Sequence, residues 1–285
     1  MKNNIRNIVL LLVLLPATRF FAFSQNYGNF GDVKMDETEL YTMTKQMSQF
    51  FSRFNYEEDQ FGKKIFSGEP LYRDKEMRKK VLPLLFDLEN PRTSGQLRDF
   101  FVEDLTQKND QFFDFLGGLW YAEVSATFKW KGQSIDMSII LTIEKENLGS
   151  KWVMTNVYLA DFNKMFPTGE ITEREKHFLH PMSHELDFMN IYKAFEDPQV
   201  IEYYGPTTFQ PDYLTLFFYE VKKGNLKFEK VNNLKFHVFQ IKNWYFEVSW
   251  FNREGYNSGW LISNLIYVKE DEKNELLKFY QPQRR

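Results

Sequence analysis

The chain has 285 residues, no cysteine, and a formal charge of −3 from 36 basic and 39 acidic residues. The lack of cysteine excludes a disulfide scaffold, a thiol nucleophile and the lipid anchor of bacterial lipoproteins, which is attached to a cysteine. The basic residues are interspersed with acidic ones and form no run of the kind that releases counterions from a phosphate backbone, so a nucleic acid is not expected as a partner. The chain also lacks a Gly-x-Ser-x-Gly elbow and a glycine-rich phosphate loop.

Residues 1–24 have the pattern of a cleavable signal peptide. Lys2 and Arg6 provide the basic start, residues 8–15 form an unbroken apolar run, and Ala22 and Ser24 provide the small side chains that an export peptidase requires. The run is much shorter than the roughly 20 apolar residues that span a bilayer. We therefore predict a periplasmic or secreted protein of a Gram-negative bacterium, with no membrane span after cleavage.

The first half of the mature chain predicts helices followed by strands. Residues 25–34 are rich in Gly and Asn and predict a flexible lead-in. Helical spacing of apolar residues predicts helices over about 36–54, 74–89 and 93–105. Pro83 should kink or split the second, because its ring removes a backbone donor and crowds the preceding turn. Alternating residues then predict strands at about 121–131, 135–141 and 152–159, with a tight turn at 132–133. This order favours an α+β domain over residues 35–165.

The second half predicts fewer helices and more strands. Residues 166–180 are charged and have no period, so we predict a linker there. Residues 181–285 form the second predicted domain, with short helices between 186 and 204. Its strands are predicted at about 213–222, 226–231, 234–241, 244–252 and 259–268.

One strand sequence occurs twice, 108 residues apart. The segment that begins Trp152-Val153-Met154-Thr155-Asn156 returns as Trp260-Leu261-Ile262-Ser263-Asn264. A repeat of this length has the size of a small domain. It predicts two related domains, each with N-terminal helices packed on a strongly bent antiparallel sheet. On a regular strand, each Asn would share a face with its Trp.

These features resemble the nuclear transport factor 2-like superfamily, whose best-known enzymes are ketosteroid isomerase and scytalone dehydratase. The resemblance rests on the helices that lead into a bent sheet and on the Trp152-Val153-Met154 and Trp260-Leu261-Ile262 strands. It covers about 35–165 and 181–270, and the second copy departs from it because its helical part is short. The resemblance implies a cone that holds a small apolar ligand, or a sheet face that serves as an interface.

The candidate ligand-binding residues are four polar side chains on the predicted strands. Asn156 and Asn264 stand among apolar neighbours, where an amide either satisfies a backbone group or faces a ligand. Tyr121 and Tyr158 complete the set. No catalytic residue is assigned, although an isomerase mechanism would need a carboxylate beside a tyrosine, with Asp99, Glu123 and Asp136 as possible bases.

A metal site is not predicted, and neither is a cofactor. His180 and His184 have the i,i+4 spacing of a metal pair, with His177 nearby. Pro181 lies between them and is expected to begin a helix, which would leave His180 outside it.

The sequence leaves three functions open. The leading one is a non-enzymatic exported protein that binds a small apolar ligand or another envelope protein. The alternatives are an isomerase- or dehydratase-type enzyme with its site in the first domain, and an assembly component of a secretion or conjugation apparatus. The sheet faces also offer surfaces for oligomerisation.

Overall fold

The computed structural model describes residues 44–108, 111–147, 149–166 and 175–281. These residues belong to one compact unit that spans Lys34–Arg285. The predicted signal peptide, the lead-in and the start of the first predicted helix lie outside the described residues. Within the described part, no helix is long and apolar enough to cross a membrane.

Among the described residues, three α-helices precede the first strand. They are α1 (Met47–Asn55), α2 (Lys75–Val81) and α3 (Gln96–Glu103). The Asp74 side chain caps α2 by accepting a hydrogen bond from the backbone of Met77 at 2.9 Å. Directly after α2 the chain tightens into a 3₁₀ helix (Leu82–Leu85) that contains Pro83. The predicted split of this helix at Pro83 is confirmed.

Six strands form one antiparallel sheet in the order β3-β2-β1-β4-β5-β6. The strands are β1 (Trp120–Trp130), β2 (Gln133–Glu146), β3 (Gly149–Tyr158), β4 (Leu226–Val238), β5 (Trp244–Phe251) and β6 (Gly259–Tyr267). Strands β1–β3 form one meander, β4–β6 form a second, and β1 and β4 join them. The predicted α+β class is confirmed.

The two meanders are related by a local twofold axis that passes through the β1–β4 ladder near the N-terminal end of β1. Ala122 pairs with Phe236 at this axis, and rotation exchanges the pairs Val124–Leu234 and Trp120–Val238 on its two sides. The partners of Trp152 and Trp260, which are Ile143 and Trp250, occupy matching places on β2 and β5. The repeated sequence therefore occupies the equivalent outer strands, β3 and β6.

The predicted division into two domains is not confirmed. Strands β1 and β4 pair along their whole length, so the two halves share one sheet. The N-terminal helices also pack across both halves: Phe54 of α1 lies 6.2 Å from Phe246 of β5, and Phe101 of α3 lies 4.9 Å from Trp244, measured between ring centroids. A single core thus contains side chains from both predicted domains.

Several elements of the second half differ from the prediction. The segment predicted as a strand at 213–222 is a helix, α6 (Tyr213–Lys222), and the two strands predicted at 226–231 and 234–241 are the single bulged strand β4. Residues 181–204 form 3₁₀ helices (Pro181–Leu186, Met189–Tyr192 and Pro198–Tyr204) around a single turn, α5 (Lys193–Glu196). Two unpredicted helices, α4 (Ala160–Met165) and α7 (Glu270–Leu277), follow β3 and β6.

Helices cover both faces of the sheet. The helix face carries Trp120 and Phe236, and it is covered by α1 and α3 at one end and by α4 and α6 at the other. The opposite face carries Tyr121, Glu123, Lys235, His237 and Glu247, which alternate with the residues of the helix face. We call it the tail face, because α7 and the residues that follow it pack there.

Candidate functional site

Asn156 and Asn264 lie on the tail face, whereas Trp152 and Trp260 lie on the helix face. The prediction that each Asn shares a face with its Trp is therefore wrong. The ladder shifts register at Thr155 in β3 and at Ser263 in β6. Each shift is a β-bulge, and the extra residue sends the next side chain to the other face. Each bulge hydroxyl lies 3.4 Å from a carbonyl of the neighbouring strand, that of Ile140 or Glu247.

Three of the four predicted site residues contact the segment that follows α7. The Asn156 side chain donates to the carbonyl of Phe279 at 3.1 Å, and the Tyr158 hydroxyl donates to the same carbonyl. The Thr155 hydroxyl donates to the carbonyl of Tyr280 at 2.7 Å. The ring of Tyr121 lies 5.3 Å from that of Tyr280. The polar groups that we predicted for a ligand therefore bind a segment of the chain itself.

A cluster of charged and hydroxyl groups lies next to this segment. Glu123 accepts hydrogen bonds from His237 Nε2 and the Ser138 hydroxyl, both at 2.8 Å, and forms an ion pair with Lys235 at 3.2 Å. The other imidazole nitrogen, Nδ1, lies 2.8 Å from the hydroxyl of Tyr245. These five residues form a continuous polar network on the tail face.

Glu247 extends this network to the fourth predicted residue. Its carboxylate accepts hydrogen bonds from the Tyr245 hydroxyl at 2.8 Å and from Asn264 at 3.4 Å. The Tyr280 hydroxyl lies 3.2 Å from His237 Nδ1, which joins the segment after α7 to the same network. All four predicted site residues thus lie on one sheet face, with Asn264 connected through Glu247.

The electrostatics of the cluster hold Glu123 as a carboxylate. Burial opposes its ionisation, but the hydrogen bond from His237, the charge of Lys235 and the hydrogen bond from Ser138 outweigh it and lower the pKa of Glu123 to about 2. Burial lowers the pKa of Lys235, but Glu247 and Glu123 more than offset this, so its pKa is raised. Glu123 and Lys235 are therefore both charged at neutral pH.

The tyrosines of the cluster are held in the neutral form. Burial raises the pKa of Tyr158, and the negative charge of Glu123 adds to the effect. Burial likewise raises the pKa of Tyr245 and Tyr280. At neutral pH these phenols act as hydrogen-bond partners.

The other candidate acids lie elsewhere, and so does the histidine group of the metal hypothesis (His177, His180 and His184). Asp99 is exposed on α3 beside Arg98, and Asp136 accepts a hydrogen bond from Thr127 at 2.5 Å. Pro181 begins a 3₁₀ helix, as predicted, and His180 stands before it. In the described part of the chain, no three His, Asp or Glu residues are grouped so as to hold a metal ion.

A cavity of about 470 Å³ lies near β6, between α1, the 3₁₀ helix after α2 and the turn between β5 and β6. This volume falls in the range of small-ligand sites. Its apolar lining consists of Phe61, Val81, Leu84, Leu85, Leu88, Tyr256 and Leu261. Phe61, Leu84, Leu88 and Tyr256 are exposed, which places apolar side chains where the cavity meets solvent.

The polar groups of the cavity carry little net charge. Arg53 is the single charged residue among the described lining residues, and it is buried in an ion pair with Glu58 at 2.9 Å. Arg53 Nη1 also donates to the hydroxyl of Thr44 at 3.3 Å. Asn257 and Ser258 provide the remaining hydrogen-bonding groups near the β5–β6 turn. The cavity thus offers an apolar wall with a few polar groups.

No local pattern in the sequence identifies this cavity. Leu84 and Leu88 share the apolar stripe of the helix predicted over 74–89, whereas the structure exposes both side chains. The local signal is Pro83, because the change to a 3₁₀ helix turns the residues that follow it away from the stripe that α2 predicts. The other wall comes from the β5–β6 turn, about 170 residues away, which no local pattern connects to it.

Comparisons with known proteins assign no family: no protein-family model, curated protein or solved structure matches the chain.

Proposed function

We propose that the protein is exported and binds a small, uncharged and mainly apolar ligand in the cavity beside α1. The observation that best supports this function is the cavity itself, with its volume of about 470 Å³ and its apolar lining. An apolar ligand gains free energy by leaving water, at roughly 25 cal/mol per Å² of buried apolar surface. Because Glu58 already balances the charge of Arg53, an anionic ligand finds no excess positive charge there.

Binding of a neutral fluorescent probe tests this function. N-phenyl-1-naphthylamine is apolar and uncharged, and we expect its emission to rise and saturate at one probe per chain. Leu84→Trp places a large ring at the opening, so the probe should bind at least about tenfold more weakly to this variant. Leu71→Trp is the matched control, because Leu71 is exposed and does not line the cavity.

Two results would contradict the proposal. One is a wild-type protein that does not bind the neutral probe. The other is equal binding by the Leu84→Trp and Leu71→Trp variants, which would place the probe elsewhere. A sulfonated naphthalene probe tests the charge argument, since we expect it to bind more weakly than the neutral one.

A second candidate is an enzyme of the isomerase or dehydratase type, with its site on the tail face. The observation that favours it is the alignment of Glu123, His237 and Tyr245, joined by two contacts of 2.8 Å. A carboxylate, an imidazole and a phenol in series are able to transfer a proton to or from a substrate. His237 and Tyr245 are buried and Tyr280 lies against them, so a substrate would have to displace the segment after α7.

Activity measurements separate the two functions. Turnover of ketosteroid or hydroxy-carbonyl substrates by the wild-type protein, lost in His237→Gln, would support the enzyme. Asp136→Asn is the matched control, because this acid lies on the same face outside the cluster. If the wild-type protein turns over none of these substrates, the cluster is structural.

A further inference from the structure

The local twofold axis makes the outer edges of β3 and β6 equivalent, and the two edges differ in what covers them. At β6, the backbone of Trp260 donates to the carbonyl of Thr44 at 2.9 Å, and the backbone of Asp87 donates to the carbonyl of Ile262 at 3.0 Å. Both segments bridge to β6 in the parallel direction. Two extended segments thus complete the edge of the sheet there.

The equivalent edge of β3 has no such cover among the described residues. Trp152 and Met154 correspond to Trp260 and Ile262, and no backbone bridge from the described residues reaches them. Trp152 is 43% exposed where Trp260 is 7% exposed, and Met154 is 41% exposed where Ile262 is fully buried. The two copies of the repeat thus form equivalent edge strands, and the described residues cover the apolar side chains of β6 but leave those of β3 exposed.

We propose that the edge of β3 over residues 151–154 binds an extended segment of a partner protein, aligned parallel to the strand. By equivalence with β6, the backbone N–H of Trp152 and the carbonyl of Met154 point away from β2 and are available to pair with it. A strand edge that presents backbone groups beside exposed apolar side chains is the surface used in β-strand addition.

The cover at β6 also indicates the chemistry of the partner. Phe86, which bridges to Ile262, is fully buried in the core on the helix face. Lys151 already forms an ion pair with Glu146, so its charge is balanced and does not favour a charged partner at the β3 edge. The expected partner is an uncharged extended segment with a large apolar side chain that covers Trp152 and Met154.

A peptide with the sequence of residues 84–89, with Asn in place of Asp87 and Gln in place of Glu89, is a suitable uncharged probe, since it contains the segment around Phe86 that covers β6. Residue-resolved amide hydrogen exchange of the full chain gives the readout. In the free protein, the amide of Trp152 should exchange faster than that of Trp260. Saturating peptide should slow exchange at Trp152 at least about tenfold. A peptide with Ser in place of Phe should give much less protection.

Two variants test the role of the backbone. Trp152→Pro removes the outward N–H, whereas the matched Trp152→Val keeps it, and both lose the indole. We expect the proline variant to lose binding and the valine variant to keep part of it. If the proline variant does not fold, Met154→Lys places a charge at the same exposed edge and should weaken binding about tenfold.

Three results would overturn the proposal. The first is no protection of residues 151–154 by the peptide. The second is equal binding to the proline and valine variants. The third is an amide of Trp152 that, without peptide, is already as protected as that of Trp260. In that case the chain or a second copy covers the edge, and dependence on protein concentration identifies the second copy.

Discussion

Glu123 forms two hydrogen bonds and an ion pair with other residues of the tail face. Its carboxylate, on β1, contacts side chains from both neighbouring strands: Ser138 of β2, and Lys235 and His237 of β4. A carboxylate whose pKa is lower in the folded than in the unfolded state stabilises the fold at every pH at which it is ionised in both states. Glu123 thus links the two meanders electrostatically as well as through the β1–β4 ladder.

We expect the stabilisation by Glu123 to be lost in acid. The folded pKa of about 2 lies below the ordinary value of 4.5, so the stabilisation is complete above about pH 5 and disappears as the pH falls to about 2. Glu123→Gln should lower the free energy of unfolding at pH 7 by about 3 kcal/mol. Its stability should also change less between pH 5 and pH 2, as measured by denaturant unfolding.

Glu144→Gln provides the control, since Glu144 is exposed on β2. If both glutamine variants unfold at the same denaturant concentration as the wild-type protein at pH 7, the ionic network contributes nothing to stability.

At the scale of elements, α6 shows how a local pattern misleads. Leu214, Leu216 and Phe218 alternate with other residues over a short run, which predicts a strand. Asp212 begins a helix instead: it accepts a hydrogen bond from the backbone of Thr215 at 3.1 Å and another from the Thr215 hydroxyl at 2.7 Å. Packing of Phe217 against Phe128 of β1, at 5.8 Å between centroids, holds the helix on the sheet.

Removal of this cap should destabilise the protein measurably. Asp212→Ala leaves the first turn of α6 without its side-chain acceptor, and we expect a loss of about 1 kcal/mol in the free energy of unfolding. Gln210→Ala is the control, because Gln210 is exposed and precedes the helix. A loss in Asp212→Ala no larger than in the control would show that the cap does not stabilise α6.

At the scale of the whole molecule, the β1–β4 ladder decides whether the halves are independent. Cutting the chain at 166–180 would expose the edges of two central strands and remove α1 and α3 from β5. Exposed edges of this length favour aggregation. The structure therefore indicates that each half needs the other for its core.

We expect the intact chain to unfold in one cooperative transition. Fragments 35–165 and 181–285, expressed separately, should show no cooperative transition in circular dichroism, and mixing them should restore one. A fragment that unfolds cooperatively by itself would establish the two-domain organisation that the repeat predicts.

Local patterns in the amino-acid sequence are enough to predict the class of the fold, most of the strands and the equivalence of β3 and β6. These features depend on alternation, helical spacing and turn residues, which act over a few positions. The split at Pro83 belongs to the same group, because a missing backbone donor acts within one turn.

The way in which these elements combine depends on contacts that form in the folded protein. Pairing of β1 with β4 unites segments about 100 residues apart, and the cavity joins the loops around α1 and α2 to the β5–β6 turn. The bulges at Thr155 and Ser263 transfer Asn156 and Asn264 to the tail face. Such features depend on long-range contacts and on the register of a neighbouring strand, and neither has a local period in the sequence.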